Sequence, residues 1–508
     1  MHHDPGAGRG TAGPEVVLGV DIGTTSSKGV LVSVDGLVLG TAVREHRVLR
    51  PAVGQVEMSA STWWDEFCAI SRELLAGVPA AVVVAVGVSG MGPCVLLTGE
   101  DGDPVRPAIL YGVDMRATAQ IAELTDRYTE QAIRARGGSA LSTQAVGPKL
   151  AWVAQHEPEV FARARRLFMP SSYLVYRLTG EYVLDHHSAS QSDPLYDMAS
   201  GSWYQPWWSD LAGAIAPPPL RWPGDVAGTV TDQAAQLTGL PPGTPVVTGT
   251  VDAWAEALSA GAHRVGDLML MYGTTMFLVD TVARMVTAPT LWSTVGVEPG
   301  THCLAGGMAT SGAITFWLDG VFGRPGFEAL LAEAQQSPPG SNGLLLLPYF
   351  AGERTPIADP DARGVVAGLT LSHTRGDLYR AALEGTAFGV RHNIEAILAA
   401  GGSVQRVVAV GGGTKGGLWA QIVSDVTGLP QQLPRHTVGA SYGMAQLAAR
   451  SQGPVTIDDW NPIEHTVQPD PAVRDLFDAR YADYLSLYPA TSDIVHHLAA
   501  QQRRDGSA

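Results

Sequence analysis

Residues 16–34 read VVLGVDIGTTSSKGVLVSV, and this stretch decides the fold. Two runs rich in β-branched residues flank the polar sequence GTT at residues 23–25, which predicts a β-hairpin with a polar turn. A similar pattern returns at residues 267–280, DLMLMYGTTMFLVD, where apolar runs flank GTT at residues 273–275. Two hairpins with the same turn sequence predict an internal structural duplication, in which one hairpin opens each half of the chain.

Strands alternate with helices in the rest of the chain. Residues 82–88 are a continuous apolar run of the buried-strand type. Residues 374–400 predict a helix that begins at Thr374 and has Asp377 in its first turn. Gly401-Gly402 end the helix, and a strand is predicted next at residues 406–410. This alternation predicts an α/β protein with mixed sheets in two lobes.

Length and composition describe an ordered globular protein. The chain has 508 residues, enough for two or three domains with substantial cores. Hydrophobic residues make up 45% and charged residues 16%, with a mean hydropathy of +0.07. The net charge of −16 disfavours nucleic acid as a partner. A phosphate could still bind locally to backbone amides and one or two cations.

Cysteine usage and the apolar runs predict a cytoplasmic location. Cys68, Cys94 and Cys303 lie far apart without C-x-x-C spacing, which indicates buried thiols in a reducing compartment. The longest apolar runs are much shorter than the ~18–20 residues that a membrane-spanning helix needs, so no membrane span is expected. Residues 1–14 lack the hydrophobic segment of a signal peptide.

A stretch rich in proline and glycine at residues 240–245 lies near the predicted boundary between the halves. We expect a disordered tail over residues 1–14, an N-terminal lobe over 15–262, a C-terminal lobe over 263–490 and a second tail over 491–508.

Residues 21–28, DIGTTSSK, place an acid at the end of a strand, followed by a glycine, four hydroxyls and an ammonium group. These groups suit a polyphosphate bound with magnesium. An ordinary polar hairpin is the alternative for this segment alone. The chain lacks the pattern G-x-x-x-x-G-K-[ST], so a P-loop nucleotidase is not favoured.

Residues 246–262, VVTGTVDAWAEALSAGA, change from a strand-like run to a helix near Asp252. An aspartate in this position is commonly only a helix cap. The helix dipole is also expected to keep Asp252 ionised at neutral pH. An ionised carboxylate can accept the proton of a hydroxyl group that attacks a phosphate.

Residues 407–417, VVAVGGGTKGG, satisfy G-x-G-x-x-G between a strand and a helix, a pattern found in dinucleotide-binding proteins. That fingerprint expects an acid about 20 residues further on, at the tip of the next strand. Asp425 comes too early and lies in a predicted helix. A glycine turn against which a nucleotide base or ribose lies fits equally well, so a dinucleotide-dependent oxidoreductase stays an alternative.

Six separated motifs resemble, in order, those of the FGGY family of carbohydrate kinases, close to its xylulokinases. They are LGVDIGTTSSK, RPAILYGVDMRA, VVTGTVDAWAEALSAGA, MYGTT, LPYFAGERTPIADPDARGVVAGLTLSHTRGDLYRAALEGTAFGV and VGGGTKGGLWAQIVSDVTG. The resemblance spans nearly the whole ordered chain. It implies an α/β, two-lobed, actin-like ATPase (RNase H-like) fold, with ATP, Mg²⁺ and a sugar bound in the cleft between the lobes. The N-terminal lobe would bind mainly the sugar, and the C-terminal lobe mainly the nucleotide.

The resemblance also implies a role for each matching residue. Asp252 would be the catalytic general base and would contact the substrate, and Asp21 would help to hold magnesium. The other implied substrate-binding residues are Met91, Gly92, Asp114 and Arg116. The implied nucleotide-binding residues are Gly23, Thr24, Thr25, Lys28, Gly273, Thr274, Thr275, Ser311, Gly312, Gly411, Gly412, Gly413 and Gly416, with Gly306 and Gly307 nearby. For Asp114 and Arg116, a surface ion pair is the alternative.

Three departures from the xylulokinase pattern leave the substrate open. Residues 89–94 read SGMGPC where xylulokinases carry Gln-Met-His-Gly, so the histidine donor is missing. Tyr111 replaces a common tryptophan, and Ala253 replaces a common asparagine. Because a sugar site selects through its hydrogen-bond partners, D-xylulose is the default, and another ketopentose, a ketohexose or a polyol stays open.

A sugar sensor without catalysis is a second possible function, against which the intact Asp21, Lys28 and Asp252 argue. The frequent dimers among relatives imply a homodimer. Three further expectations concern aromatic, histidine and charged side chains: core packing for Trp203, Trp207 and Trp208, no metal site at His186 and His187, and a structural pair of Glu353 and Arg354 near the cleft.

Overall fold

The first of two seven-stranded mixed sheets is built around the N-terminal hairpin in the computed structural model, which describes residues 13–504. Strands Glu15–Ile22 and Ser26–Ser33 are antiparallel, and Val82–Gly90 pairs in parallel with the first of them. The strand order is Val226–Thr229, Pro245–Val247, Val82–Gly90, Glu15–Ile22, Ser26–Ser33 and Val38–Glu45, with Thr250–Val251 also beside Val82–Gly90.

The second sheet repeats this arrangement in the C-terminal half. Strands Asp267–Tyr272 and Met276–Val282 form the antiparallel hairpin, and Arg406–Val410 pairs in parallel with the first of them. The strand order is Trp292–Val295, His302–Met308, Met276–Val282, Asp267–Tyr272, Arg406–Val410, Gln431–Pro434 and Ile463–Val467. The predicted duplication and the α/β class are both confirmed.

The remaining elements surround these sheets. Two-stranded sheets join Glu57–Met58 with Ala108–Ile109, Leu96–Thr98 with Arg166–Phe168, Leu184–Asp185 with Leu220–Arg221, Tyr196–Asp197 with Ser202–Trp203, and Leu345–Leu347 with Val365–Ala367. The helices of the N-terminal half are Ala60–Gly77, Thr118–Tyr128, Glu130–Gly137, Val146–His156, Pro158–Arg163, Pro170–Thr179, His186–Ser190, Gln205–Leu211, Asp232–Thr238 and Asp252–Ser259. Those of the C-terminal half are Gly312–Val321, Phe327–Gln336, Arg375–Ala400, Leu418–Thr427, Ala440–Arg450, Ile457–Trp460 and Arg474–Arg504, with short 3₁₀ turns at Ser341–Gly343, Gly412–Thr414 and Pro471–Val473.

The long helix Arg375–Ala400 has the predicted ends. Thr374 caps it, and its hydroxyl accepts a hydrogen bond from the Asp377 backbone while the Asp377 carboxylate accepts one from the Thr374 backbone. Gly401 ends the helix with φ of 103°, a left-handed conformation that glycine adopts without strain. Strand Arg406–Val410 follows as expected.

Helix Ala440–Arg450 belongs to the C-terminal half in sequence but lies on the first sheet. Two glycines of that sheet allow the close approach: a Cβ atom on Gly19 would lie 1.9 Å from the Ser441 carbonyl oxygen, and one on Gly87 would lie 2.3 Å from that of Met444. The expected boundary between residues 262 and 263 therefore does not divide the chain into two lobes that pack independently. This helix comes after the boundary but packs on the first sheet.

The expected C-terminal tail over residues 491–508 was wrong over its described part. Helix Arg474–Arg504 continues through this region, and Val495 and Ala499 on it are buried. Both are apolar positions that pack against the protein rather than facing solvent. Residues 505–508 and 1–12 of the two expected tails lie outside the described residues.

The aromatic and sulfur-containing side chains lie mostly in the cores. Trp203 and Trp208 are buried in one apolar cluster, and Trp207 packs against that cluster and stacks on Tyr128. The three cysteine residues are buried, as predicted. Between residues 13 and 504, no helix combines the length and apolar character that crossing a membrane requires.

Replacing Gly19 by valine should destabilise the protein by ~1–3 kcal/mol or more, because the added side chain would overlap the backbone of helix Ala440–Arg450. Gly77→Ala is the control, since a Cβ atom there has no neighbour within 4 Å. Urea unfolding measures both variants. Equal unfolding free energies for Gly19→Val and the wild type would contradict the packing described here.

Asp280→Asn should stabilise the protein more at pH 8 than at pH 5. Burial raises the pKa of Asp280 from 3.8 to about 7. Because the folded-state pKa lies above the unfolded one, the wild type loses stability as the pH rises between these two values, and the asparagine variant does not. The difference between the two pH values should be of the order of 2 kcal/mol. Thermal unfolding at both pH values measures this difference, and Asp103→Asn at an exposed position is the control. A stability gain of Asp280→Asn that does not depend on pH would refute the raised pKa of Asp280.

Candidate active site

Three cavities lie along the edges where the two hairpins turn. We call them the acidic, tryptophan and glycine-rich cavities. The acidic cavity, of about 190 Å³, is lined by Asp21, Lys28, Asp252, Ala253, Glu256, Met271, Val438, Gly439, Ala440 and Ser441. It shares Asp252, Ala253 and Met271 with the tryptophan cavity, so these two cavities adjoin at Asp252.

Asp21 is the second-last residue of strand Glu15–Ile22, the first strand of the N-terminal hairpin. It is paired across the sheet with Lys28 on one side and with Ser89 on the other. The Ser89 hydroxyl donates a hydrogen bond of 2.8 Å to Asp21 Oδ1. Burial outweighs these favourable contacts and raises the pKa of Asp21 to about 6.

Asp252 is the first residue of helix Asp252–Ser259, and its Oδ1 accepts a hydrogen bond of 2.7 Å from the Ala253 backbone. Burial, and then the negative charge of Asp21, raise the pKa of Asp252 to about 7. Burial and the charge of Asp21 thus oppose the helix dipole, which was expected to keep this carboxylate ionised at neutral pH. A carboxyl group with a pKa near 7 can both take up and release a proton at neutral pH, which suits a general base.

Glu256 lies one helical turn after Asp252, and none of the sequence motifs predicted a role for it. Burial, and then the charge of Asp21, raise its pKa to about 7. The i, i+4 spacing from Asp252 on a helix was the signal that could have placed it on the same face.

The acidic cavity fits a magnesium ion that phosphate groups help to bind. Within residues 13–504, no three acidic, histidine or cysteine side chains are close enough to hold a metal ion by themselves. Magnesium is commonly held by one or two carboxylates together with substrate phosphates and water. Asp21 and Asp252 provide two such carboxylates, and a divalent cation would relieve the repulsion between them.

The tryptophan cavity, of about 210 Å³, has walls from both halves of the chain. Its lining combines aromatic and aliphatic side chains with hydroxyls, amides and three charged residues: Met91, Gly92, Tyr111, Ser139, Ala140, Ser142, Gln144, Ala145, Ser190, Gln191, Asp193, Val251, Asp252, Ala253, Trp254, Met271, Thr275, Phe277, Trp292, Ser293, Thr294 and Arg354. Such a mixture of apolar walls and convergent polar groups is typical of a small-molecule site.

Several lining residues had no signal in the sequence motifs. Asp193 is one of them, and burial raises its pKa well above the usual range. Arg354, which was expected near the cleft in a pair with Glu353, also lines this cavity but does not pair with that residue. The Glu353 carboxyl group instead accepts hydrogen bonds from the backbone N–H groups of Ala309 and Arg354.

Of the predicted substrate residues, Met91, Gly92 and Asp252 line the tryptophan cavity, whereas Asp114 and Arg116 do not. Arg116 donates to both carboxylate oxygens of Asp114 and to Glu57, and Asp114 also accepts from the Val56 backbone. Both side chains are buried, so the alternative of a surface ion pair also fails. They form a buried ion pair that supports the loop bearing Tyr111.

The first GTT turn lies at the edge of the tryptophan cavity. The hydroxyl groups of Thr24 and Tyr111 are 2.9 Å apart. The Gly23 carbonyl oxygen is 3.1 Å from His46 Nε2, and the His46 backbone donates to the Thr25 carbonyl. Lys28 lies on the other side of the hairpin, in the acidic cavity.

The glycine-rich cavity, of about 530 Å³, is lined by Tyr272, Gly273, Thr274, Gly312, Thr315, Phe316, Phe327, Glu328, Leu331, Tyr379, Leu383, Gly412, Gly413, Lys415, Gly416 and Trp419. The second GTT turn separates it from the tryptophan cavity, whose wall includes Thr275. The N-terminus of helix Gly312–Val321 borders it, but its first N–H groups donate to carbonyl oxygens of the second GTT turn. Lys415 in the lining is the cation that could meet a phosphate. The aromatic walls of this cavity suit a flat nucleotide base.

Gly312 and Ser311 hold the second GTT turn against this helix. Their backbone N–H groups donate to the carbonyl oxygens of Gly273 and Thr274, at 3.0 and 3.1 Å. Gly411 packs against Tyr272, with φ of 96°, and does not itself line the cavity, whereas Gly412, Gly413 and Gly416 do. Gly306 and Gly307 lie behind these residues on strand His302–Met308.

The duplicated sheets and the adjoining cavities define a two-lobed phosphotransferase of the actin-like ATPase type. Comparison with family models gives the family: the N-terminal domain model of the FGGY family of carbohydrate kinases matches residues 16–259, and the C-terminal domain model matches residues 268–452. The chain belongs to the FGGY family of carbohydrate kinases, and it is an ATP-dependent kinase with an alcohol group as the acceptor. This membership excludes the dinucleotide-dependent oxidoreductase.

Relatives with different printed substrates resemble the chain to similar degrees. The chain is 28% identical over 494 residues to a xylulose kinase of Staphylococcus epidermidis, covering 95% of this chain and 98% of the relative. It is 30% identical over 455 residues to a glycerol kinase of Alkalilimnicola ehrlichii, covering 86% and 90%. The crystal structure of a xylulose kinase from Rhodospirillum rubrum matches with a TM-score of 0.88 and 34% identity, covering 95% of this chain and all of that one.

Gly312→Ala should weaken ATP binding at least tenfold, because a Cβ atom there would lie 2.5 Å from the Gly273 carbonyl oxygen and displace the second GTT turn. Gly320→Ala on the same helix is the matched control, since no atom lies within 4 Å of its Cβ position. Isothermal titration with ATP compares the two. Similar affinities for both variants would show that this turn does not shape the nucleotide site.

Proposed function

We propose that the protein phosphorylates a hydroxyl group of a ketopentose, with D-xylulose as the first candidate, and that Asp252 is the general base. The position of Asp252 carries this proposal, because it alone among the acidic residues of the acidic cavity also lines the tryptophan cavity. A sugar in the tryptophan cavity would therefore meet a carboxyl group whose pKa is about 7. Xylulose kinases among the similar proteins support the choice of sugar.

The two GTT turns and the acidic cavity would hold the phosphates. Gly273 and Thr274 of the second turn border the glycine-rich cavity. Thr24 of the first turn contacts the hydroxyl group of Tyr111, which lines the tryptophan cavity. Lys28 would neutralise phosphate charge. Magnesium, held by Asp21 and phosphate oxygens, would supply charge neutralisation to the transferring phosphoryl group.

Asp252 would take the proton from the acceptor hydroxyl as its oxygen attacks the phosphoryl group in line. The transition state of this reaction is loose, so correct positioning matters more than strong basicity. The apolar walls of the tryptophan cavity would exclude water, which otherwise competes with the sugar as acceptor.

The polar groups of the tryptophan cavity do not identify one sugar. It lacks the histidine of the xylulokinase pattern, and Ala253 cannot provide the amide of the common asparagine. Gln191, Asp193 and the surrounding hydroxyl groups offer other partners. Another ketose or a polyol is therefore the alternative acceptor, and a coupled assay of ADP release over ketopentoses, ketohexoses and polyols decides between them.

We also propose a homodimer in the cytoplasm that binds only small molecules, namely the sugar and ATP. Light scattering coupled to gel filtration measures the oligomeric state. A sugar sensor without catalysis is excluded if ADP release depends on a sugar.

Asp252→Asn should lower kcat by ~10²–10⁴-fold, because the amide cannot accept the acceptor proton, while ADP binding stays within about twofold. Glu256→Gln is the matched control: it removes a second carboxyl group from the acidic cavity but not from the tryptophan cavity. A coupled assay with D-xylulose measures kcat, and calorimetry measures ADP affinity. Wild-type turnover by Asp252→Asn would contradict the assignment of the base.

A further inference from the structure

Arg354 is a cation in the tryptophan cavity that the kinase mechanism above does not use. The charged residues that line this cavity are Asp193, Asp252 and Arg354. Within residues 13–504, the Arg354 guanidinium forms no ion pair and no hydrogen bond, whereas its backbone N–H donates to Glu353. Arg354 is exposed and lines this cavity, so its five planar N–H donors, unpaired among the described residues, are available to a ligand there.

The neighbouring carboxyl groups of Glu353 and Asp193 do not neutralise the positive charge of Arg354. Burial raises the pKa of Glu353 to about 8, so this group is mostly protonated at neutral pH. Burial likewise raises the pKa of Asp193 well above its usual range. Arg354 stays charged under all these conditions, so it contributes a fixed positive charge to the cavity.

The backbone on both sides of Arg354 is firmly anchored. Thr355 Oγ1 accepts a hydrogen bond of 2.6 Å from the Gly307 backbone, and Asn393 donates one of 2.9 Å to the Thr355 carbonyl. On the other side, Glu353 and Asp359 exchange two backbone hydrogen bonds of 2.8 and 2.9 Å. An anchored backbone restricts the positions that the long Arg354 side chain can reach.

The C-terminal helix holds the far end of the same loop. Asp359 Oδ2 accepts a hydrogen bond of 2.5 Å from the Tyr488 hydroxyl and lies 2.6 Å from His496 Nε2. Both partners lie on helix Arg474–Arg504, in the region near and beyond residue 490 where a tail was expected. The last part of the chain thus contacts the loop that carries Arg354.

We infer that Arg354 is a specificity-determining residue that donates hydrogen bonds to the oxygen atoms of the sugar acceptor. Asp359 is a positioning residue: its contacts with Tyr488 and His496 hold the loop that carries Arg354. This inference rests on the proposed function. It means that the acceptor is bound from both halves of the chain, since Asp252 comes from the first half and Arg354 from the second.

Substitution of Arg354 tests the contact with the acceptor. Arg354→Met should raise KM for D-xylulose at least tenfold, change kcat less than threefold and leave the Kd for ADP unchanged. Arg354→Lys, which keeps the charge but not the planar donors, should give an intermediate KM. Arg375→Met, at an exposed arginine paired with Glu333, is the control.

The outcomes separate this inference from the proposed function. A lower kcat with unchanged KM for Arg354→Met would mean that Arg354 acts on the transferring phosphoryl group, and would overturn the inference. Unchanged KM and kcat would also overturn it. If the wild type phosphorylates no ketose or polyol, the proposed function itself fails, and this inference fails with it.

A matched pair of histidine variants tests the positioning role. His496→Gln should raise KM for D-xylulose by about threefold or more, whereas His497→Gln, at the exposed neighbour, should not. Tyr488→Phe should act like His496→Gln, and combining either with Arg354→Met should add little. A lower Tm with unchanged KM for both variants would show that the helix only stabilises the loop and would overturn the positioning role.

Discussion

The repulsion between two buried carboxyl groups, Asp21 and Asp252, is the constraint on which the rest of the site depends. Each lies in a place where burial disfavours its charge, and the pKa of Asp252 is raised further by Asp21. Such a pair is stable only when protons or cations compensate the charge. The acidic cavity is thus suited to a metal bound with phosphates, and Asp252, which also lines the tryptophan cavity, can exchange a proton at neutral pH.

That constraint requires the two halves of the chain to be held together closely. Asp21 comes from the first hairpin, and the other side of the acidic cavity includes Gly439, Ala440 and Ser441 at the start of a helix from the second half. This helix lies on the first sheet because Gly19 and Gly87 provide no side chain there. Close packing at these glycines therefore sets the geometry of a site that both halves form.

Much of this could be predicted from local sequence. The hairpins, the long helix with its Thr374 cap, and Asp252 at a helix start all follow from short patterns that fix local backbone structure. The raised pKa of Asp252 could not be predicted, since it depends on burial and on a charge about 230 positions away in the chain. The buried pairing of Arg116 was also missed, because it depends on Glu57, which only the tertiary structure brings near. Arg354 was expected near the cleft, but as a partner of Glu353 rather than as a cation of the tryptophan cavity.

The motif residues predicted to bind the nucleotide and those predicted to bind the sugar lie in different surroundings in the structure. Of the positions predicted to bind the nucleotide, Gly312 lines the glycine-rich cavity and Lys28 lines the acidic cavity. Asp114 and Arg116, carried over as sugar contacts, instead form a buried ion pair. The most direct measurement is therefore a crystal structure with D-xylulose and a non-hydrolysable ATP analogue. The account predicts a sugar hydroxyl within hydrogen-bond distance of Asp252 and the phosphates between the two GTT turns; a sugar bound away from Asp252 would contradict it.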